Sequence, residues 1–289
     1  MSKFKDILIL IPTINESTLE QVVSSVCNQA ADAEIVILGF GKANQIADKY
    51  EVKFCDLGEK TPKPIALNGA IRESKKNWII VLDADAVPKS NWAENMLRAF
   101  QKERSIFSGS AEIGTGTFWM RVYNLSMLHE FSSEKPSGTR KYLPAMTLGF
   151  TREAYKEIGP FSEEINRSED FEWTLRAYSK GFSPFFEPSA CVTHIPVNKF
   201  SFSTVWDYWR ISGYDNWLVR QKYQEILNTP FLFRWPLFIL MTAPLLSLLP
   251  TLRIFYNSPR LFLKNLLLIP FVYFTKLAWC LGVYEGARK

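Results

Sequence analysis

Short apolar runs alternate with helical patterns through the first hundred residues, and this alternation constrains the fold more than any other feature. The run 7–11 is continuous and β-branched and is ended by Pro12, which is typical of a strand buried on both faces of a parallel sheet. Further strand patterns lie at 33–38, 52–55 and 78–82, with helical patterns at 19–26, 44–50 and 65–74. This order predicts an open, mostly parallel, doubly wound α/β sheet.

The end of the chain has a different composition. Residues 229–289 contain seven Lys or Arg and one acid, whereas the other 228 residues carry 27 basic and 28 acidic side chains. The apolar runs 235–250, with three prolines, and 266–275 are both shorter than the roughly 20 residues of a membrane span. Because positive charge accompanies apolar and aromatic residues, we expect helices that lie at an anionic membrane surface. The alternative is a helical subdomain packed on the core or in a dimer.

Charge and cysteine patterns exclude several classes of partner and site. The basic excess lies in the apolar tail, so nucleic acid is not an expected partner. The four cysteines are scattered without a C-x-x-C pair, which argues against a zinc site or a disulfide framework. The sequence begins Met1-Ser2-Lys3 and runs into a strand without the apolar core of a signal peptide. We therefore expect the folded part to lie on the cytoplasmic face of a membrane.

Two acidic motifs lie where such a sheet binds its ligands. Asp83 and Asp85 follow directly on the strand pattern 78–82, and ligands bind outside the carboxyl ends of parallel strands. Their carboxylates are hard oxygen ligands for a divalent cation, although an isolated Asp-x-Asp is more often a solvated turn. Glu169 and Asp170 begin a second helical pattern, where acids also serve as a helix cap.

Together with their neighbours, these motifs resemble family-2 glycosyltransferases of the GT-A fold. The resemblance covers about residues 5 to 196. In the first half it rests on Ile11-Pro12-Thr13-Ile14-Asn15-Glu16, Ala66-Leu67-Asn68-Gly69-Ala70 and Leu82-Asp83-Ala84-Asp85. In the second half it rests on Leu148-Gly149-Phe150, Ile158-Gly159-Pro160-Phe161, Ser168-Glu169-Asp170, Leu175-Arg176, Lys180-Gly181 and His194.

The resemblance implies a domain organisation. A Rossmann-like GT-A catalytic domain would occupy residues 1–228, with a nucleotide-sugar half at 1–100 and an acceptor half at 101–228. The basic and apolar region 229–289 would follow as a helical, membrane-associating extension, peripheral or monotopic.

Under this resemblance each matching residue has a role in an inverting transfer from a nucleotide diphosphate sugar. Asp85 and His194 would hold a divalent cofactor, Mn²⁺ or Mg²⁺, although a buried ring with one bonded nitrogen is the alternative for His194. Asp170 would be the base that removes the proton of an acceptor hydroxyl, and Glu169 would orient the acceptor. The donor would contact Pro12, Thr13, Glu16, Lys63, Asn68, Asp83 and Asp85.

The resemblance constrains two features less, namely the nucleobase of the donor and the identity of the acceptor. The family commonly has acids in the loop after the second strand, whereas this chain has Gly39-Phe40-Gly41-Lys42, so uridine is expected by family frequency alone. Trp209 and Arg210, in an aromatic cluster, are assigned to the acceptor, with packing of the tail as the alternative. The expected acceptor is a hydroxyl of a lipid-linked saccharide or polysaccharide. A polyprenyl phosphate acceptor and a catalytically inactive sugar-nucleotide-binding module are the alternatives.

Overall fold

The structure is a computed structural model that describes residues 3–59, 61–113, 116–165, 167–229, 233, 235–256 and 265–288. Its contacts divide the chain into two compact units. The first comprises Met1–Glu112 and Phe131–Val197, and the second comprises Ile113–Glu130 and Asn198–Lys289. This division places 198–228 with the second unit, and the functional boundary expected after residue 228 stays a prediction.

Four parallel strands form one half of the sheet in the first unit. β1 lies between β2 and β4, and β3 pairs with the outer side of β2. Helices α1, α2 and α3 connect these strands, and the alternation that the sequence predicts is confirmed. The bounds are β1 (Ile7–Pro12), α1 (Leu19–Gln29), β2 (Glu34–Gly39), α2 (Ala43–Lys49), β3 (Lys53–Asp56), α3 (Lys63–Glu73) and β4 (Trp78–Leu82).

The other half makes the whole sheet mixed, so "mostly parallel" holds only for β1 to β4. β8 runs antiparallel to both β4 and β6, and β9 runs parallel to β6 and antiparallel to β5 and β7. The order is β3-β2-β1-β4-β8-β6-β9-β5, with β7 beside β9. The bounds are β5 (Ala86–Pro88), α4 (Trp92–Gln101), β6 (Ile106–Glu112), β7 (Gly138–Thr139), β8 (Thr147–Thr151), α6 (Arg152–Ile158), α7 (Glu169–Ser179) and β9 (Phe185–His194).

The insertion of β8 beside β4 brings the second half of this unit to the acidic motif. Asp83 N donates to Met146 O over 3.2 Å, immediately before β8 begins. The close approach of β8 to β6 requires a glycine, because a Cβ at Gly149 would lie 2.5 Å from the ring of Phe107. The carboxyl end of β4 therefore lies against the segment that precedes β8.

The second unit is helical in its described residues. Its helices are α5 (Phe118–Leu128), α8 (Phe202–Lys222), α9 (Pro236–Tyr256) and α10 (Ile269–Ala287). Two helices, Pro236–Tyr256 with 21 residues and Leu266–Ala287 with 22, are long and apolar enough to cross a membrane. The sequence-based expectation that both apolar runs are too short is thus wrong. α9 continues through Pro244 and Pro250, and the helix after Leu266 continues past Lys276, whose ammonium donates to Ser126 O over 2.8 Å.

Candidate active site

A cleft of about 290 Å³ lies at the carboxyl ends of the parallel strands in the first unit. This is the edge at which open α/β sheets bind ligands. Six of the predicted donor contacts line it, namely Pro12, Thr13, Glu16, Lys63, Asp83 and Asp85. The structure therefore brings together most of the residues that the sequence assigns to the donor.

The loop after β1 is folded by its own polar side chains. Glu16 Oε2 accepts hydrogen bonds from Thr13 Oγ1 at 2.6 Å and from Ile14 N at 2.9 Å. Thr13 Oγ1 accepts from Asn15 N at 3.0 Å, and Asn15 has a φ of 67°. A Cβ at Gly39 would lie 2.5 Å from Thr13 Cγ2, so only glycine lets this loop close against β2. These bonds hold Thr13 and Glu16 at the cleft.

The turn after β4 is fixed by backbone hydrogen bonds. Ala86 N donates to Asp83 O at 3.0 Å, and Ile195 N donates to Asp85 O at 2.7 Å. Because Ala86 pairs with His194 in the antiparallel ladder of β5 and β9, the side chain of Asp85, one residue before Ala86, lies next to that of His194. Asp85 Oδ1 lies 3.4 Å from His194 Nε2.

Lys63, the first residue of α3, joins the two acidic motifs. Its Nζ lies 2.7 Å from Asp83 Oδ1 and 3.1 Å from Glu169 Oε1. Burial alone would lower the pKa of the Lys63 ammonium, but the charges of Asp83, Glu169 and Asp170 hold that pKa well above its usual value. Lys63 is therefore a permanent cation among these carboxylates.

Asp170 lies in the first turn of α7, next to Glu169. Its Oδ2 accepts from Ala145 N and its Oδ1 accepts from Phe171 N, each at 2.7 Å. Burial raises the pKa of the Asp170 carboxyl to about 7, and the charge of Glu169 acts in the same direction. The charge of Lys63 and the two backbone amides oppose this shift. A carboxylate whose pKa is near neutrality is suited to proton transfer.

The site contains side chains that can bind a cation, but they do not make up a complete set of metal ligands. Burial raises the pKa of the Asp85 carboxyl, and the charges of Asp83 and Glu16 add to that effect, whereas His194 and Lys63 oppose it. This local excess of acids favours a positive ligand. Among the residues that the structure describes, no group of three or more His, Cys, Asp or Glu side chains is arranged to hold a metal ion. Asp85 and His194, 3.4 Å apart, are two side chains whose oxygen and nitrogen atoms are of the types that bind divalent cations.

Asn68 is a predicted donor contact whose polar atoms are used within the protein. Its Oδ1 accepts from Tyr155 Oη and from Phe161 N, each at 2.9 Å. Its Nδ2 donates to Phe161 O at 2.9 Å and to Glu163 Oε1 at 3.2 Å. Asn68 is fully buried, so this side chain ties α3 to the segment after α6.

Trp209 and Arg210, the predicted acceptor contacts, belong to the second unit. Lys276 Nζ lies 4.2 Å from the centre of the buried Trp209 ring. Arg210 Nε lies 3.7 Å from Glu285 Oε2. Their assignment to the acceptor stays a prediction.

The segment after β3 lines the cleft and was missed by the sequence analysis. Leu57, Gly58, Glu59 and Thr61 contribute to the lining. Thr61 Oγ1 donates to Leu57 O, and Gly58 N donates to Asp56 Oδ1 at 3.1 Å. The available signal was its position after the third parallel strand, which ends at the same edge as its neighbours.

The fold is an α/β fold with a cleft at the carboxyl ends of its parallel strands, and sequence comparison gives the family. A sequence profile described as "Glycosyl transferase family 2" matches residues 8–159, just over half of the chain. The chain therefore belongs to glycosyl transferase family 2.

Two curated relatives are similar at low identity. The pre-mycofactocin glycosyltransferase of Mycobacterium tuberculosis is 22% identical over 205 residues, which cover 66% of this chain and 43% of the relative. The poly-beta-1,6-N-acetyl-D-glucosamine synthase of Staphylococcus aureus is 23% identical over 276 residues, which cover 86% of this chain and 63% of the relative. The chain spans about half of the length of these relatives.

Solved structures confirm the GT-A type of fold. The mannosyltransferase PcManGT from Pyrobaculum calidifontis, solved with GDP-Man and Mn²⁺, has a TM-score of 0.66 at 15% identity and covers 99% of this chain and 87% of its own. GalNAc-T7, solved with UDP, GalNAc and Mn²⁺, has a TM-score of 0.53 at 19% identity and covers 71% of this chain and 47% of its own.

Proposed function

We propose that this protein is an inverting glycosyltransferase that moves a sugar from a nucleotide diphosphate to an acceptor hydroxyl, with Asp170 as the base. One observation carries the proposal. Lys63 contacts both Asp83 at the cleft and Glu169 at the start of α7, so the donor cleft and the proposed base belong to one cluster of side chains. A site that binds a donor and activates a hydroxyl needs this proximity.

The donor is proposed to occupy the cleft at the ends of β1, β2 and β4. Pro12, Thr13 and Glu16 would contact the nucleoside, and Phe40 offers a ring at the same lining. Asp83, which accepts a hydrogen bond from Lys63, would contact the ribose or the shell of the metal. A UDP-sugar is the donor that we propose first, and GDP-sugars are the comparison, since the structural neighbours were solved with both types of nucleotide.

Asp85 and His194 are the residues that would hold Mn²⁺ or Mg²⁺. When bound, a divalent cation supplies positive charge next to the departing diphosphate. Asp85, just before β5, would contribute a carboxylate oxygen, and His194, at the end of β9, would contribute a ring nitrogen. Lys63 contributes a second positive charge within the cluster, which it shares with Asp83 and Glu169.

The transfer requires one protein base. Asp170 takes the proton of the acceptor hydroxyl while the oxygen forms a bond to the anomeric carbon. The bond from that carbon to the diphosphate breaks, and its electron pair leaves with the diphosphate. Because attack and departure occur on opposite faces, the configuration inverts. No protein acid is needed, since the diphosphate is stabilised by positive charge rather than by protonation.

We propose that the acceptor is a hydroxyl of a lipid-linked saccharide or a growing polysaccharide. The local charge supports a hydroxyl over a polyprenyl phosphate. The charge of Glu169 acts on Asp170, and the Lys63 ammonium is already shared between Asp83 and Glu169. A phosphate acceptor would meet net negative charge there and would need no base.

The test compares Asp170→Asn with Glu157→Gln, an exposed acid on α6. Calorimetry with UDP and Mn²⁺ measures donor binding, and release of UDP in the presence of saccharide acceptors measures transfer. We expect Asp170→Asn to lower turnover by roughly 10² or more with little change in UDP affinity. Glu157→Gln should retain both. Near-normal turnover by Asp170→Asn would contradict the assignment of the base.

An inactive sugar-nucleotide-binding module makes a different prediction in the same assay. It would bind UDP with Mn²⁺ but release no UDP from a UDP-sugar with any acceptor. The raised pKa of Asp170 next to the donor cleft favours the enzyme, because a binding module has no need for a carboxylate that exchanges protons near neutral pH.

A further inference from the structure

The described part of α9 has an outward face that is entirely apolar up to Leu252. Its exposed residues from Trp235 onward are apolar side chains or prolines, among them Leu237, Leu240, Met241, Leu245, Leu248 and Leu252. Met241 is 81% exposed and Leu245 is 57% exposed. Arg253 is the first charged residue on this side. A continuous exposed face of this kind marks a surface that contacts something apolar.

The inward face of α9 is smaller and more polar at its centre. Ala243, Ser247 and Thr251 are buried there, with larger apolar residues only near the two ends. Ser247 Oγ lies 3.6 Å from Cys280 Sγ, and Thr251 Oγ1 donates to Ser247 O at 2.8 Å. A helix of a water-soluble protein has the opposite arrangement, with leucines inward. Small buried and large exposed residues are typical of helices that face lipid.

Charge and aromatic residues favour lipid as the occupant of this face. Residues 229–289 carry seven basic side chains and one acid, which complements an anionic surface. Trp235 and Tyr256 are exposed at the two ends of the helix, and such rings are enriched at the level of lipid headgroups. We propose that the outward face of α9 inserts into one leaflet of an anionic membrane, with the helix axis in the plane of the bilayer.

The packing of the second unit argues against a crossing. α10 runs antiparallel to α9, since Cys280 contacts Ser247 while Val272 and Ile254 belong to one buried cluster nearer the start of α10. α8 runs parallel to α10, since the ring of Trp209 lies 4.2 Å from Lys276 Nζ and a Cβ at Gly286 would lie 2.8 Å from the ring of Trp217. The two helices meet at backbone contact, because a Cβ at Gly213 would lie 2.1 Å from Trp279 O. The three helices therefore extend side by side.

α8 carries charge along this shared length. Its charged residues are Asp207, Arg210, Asp215, Arg220 and Lys222. Arg210 forms an exposed pair with Glu285 of α10 at 3.7 Å. If α9 crossed the bilayer, these side chains would enter the hydrocarbon. There each charge lowers the equilibrium constant for insertion by a factor on the order of 10². An in-plane α9 buries its leucines and leaves α8 in contact with water.

Flotation of the full chain with phosphatidylglycerol vesicles tests the lipid face. We expect Met241→Asp and Leu245→Asp each to lower vesicle binding about tenfold or more, because an exposed apolar contact is replaced by a charge that anionic lipid repels. Leu218→Asp on α8, where the leucine is 45% exposed, is the matched control and should bind as the unchanged protein does. Melting temperatures confirm folding. The assay contains no sugar nucleotide, so it is independent of the proposed transfer.

Labelling distinguishes the in-plane arrangement from a crossing. Trp235→Cys and Tyr256→Cys are each exposed to a membrane-impermeant maleimide added outside the vesicles, and the labelled peptides are identified by mass spectrometry, which separates them from the native cysteines. We expect both positions to react from the same side. Labelling from opposite sides would overturn the in-plane arrangement. Absence of vesicle binding, or a lipid-independent dimer that Leu245→Asp dissociates, would overturn lipid as the occupant.

Discussion

The ammonium of Lys63 lies 2.7 Å from Oδ1 of Asp83, although the two residues belong to α3 and to the turn after β4. The same nitrogen lies 3.1 Å from Glu169 at the start of α7. Three segments that are distant in sequence thus share one cation. Its removal would leave Asp83, Glu169 and Asp170 as neighbouring carboxylates without a shared positive charge.

Substitution of Lys63 by Met should therefore change the ionisation of the base as well as the rate. The charge of Lys63 lowers the pKa of Asp170, so that pKa should rise in Lys63→Met and the acidic limb of kcat/KM should move to higher pH. We expect turnover at pH 7 to fall by roughly tenfold or more. Lys63→Arg retains the charge and should keep the acidic limb near its original pH. A pH profile of Lys63→Met that equals that of the unchanged protein would contradict this role of Lys63.

The pH dependence of the unchanged protein follows from Asp170. Its pKa is raised to about 7, and the base is active when deprotonated, so kcat/KM should increase as the pH rises through about 7. Asp170→Asn should abolish this limb together with most of the activity. An acidic limb at the ordinary pKa of an aspartate would place the base elsewhere.

The raised pKa of Asp170 also predicts that the stability of the folded protein falls as the pH rises, whereas its activity increases. In the unfolded chain Asp170 loses its proton near pH 4, whereas in the folded protein it holds that proton until about pH 7. The stability that this proton contributes is present at low pH and is lost as the pH rises through 7. Asp170→Asn should therefore gain melting temperature relative to the unchanged protein between pH 5 and pH 8, by roughly 5 °C. Thermal melts of both proteins across this range measure the difference.

Metal binding should depend on Asp85 and His194 together. In Mn²⁺, Asp85→Asn and His194→Ala should each weaken UDP binding by about tenfold or more, because only two protein side chains contribute to the proposed site. In EDTA, the variants and the unchanged protein should bind UDP with equal and lower affinity. Calorimetry under both conditions makes this comparison. Affinity that is independent of Mn²⁺ in the unchanged protein would remove the metal from the proposal.

The sequence predicts the parallel half of the sheet well and the other half poorly. β1 to β4 begin and end within one residue of the predicted runs. For β1 and β4 the reason is that strands buried on both faces are uninterrupted apolar segments, whereas β3 is a short edge strand with no buried residue. β6 has no such signal, since its centre is Ser108-Gly109-Ser110. Ser108 Oγ donates to Pro144 O at 3.0 Å and Ser110 Oγ to Pro188 O at 2.7 Å, so these polar residues are satisfied when buried.

In the candidate site, too, some features follow from local sequence patterns and others depend on pairing between distant segments. Its position follows from the rule for strand ends, and the motifs identify Asp83, Asp85 and Asp170. The contact between Lys63 and Glu169 depends on β8 lying beside β4, a pairing between segments that local patterns do not encode. β9 has a continuous strand pattern only near 190–193, because Pro188 interrupts the segment, and its pairing with β6 shifts register near that point.

Asn68 provides a test that separates packing from donor binding. Asn68→Ala removes four hydrogen bonds and leaves Tyr155 Oη and the backbone of Phe161 without partners in a buried place. We expect a loss of about 2–4 kcal/mol in the free energy of unfolding. UDP affinity of the folded fraction should be unchanged. Denaturant unfolding and calorimetry give the two values, and a large loss of affinity at full stability would restore Asn68 to the donor site.

The position of α5 within the chain has a consequence for synthesis. Ser126 O accepts a hydrogen bond from Lys276, 150 residues later, and Asn265 Oδ1 accepts from Arg121 at 2.6 Å. At about 5–20 residues per second, a ribosome needs roughly 8 to 30 s to produce the partners of this helix. During that time Val122, Tyr123 and Leu125, which are buried in the finished second unit, have no part of α10 to pack against. A nascent chain of this protein therefore presents the apolar side chains of α5 well before α10 has been made.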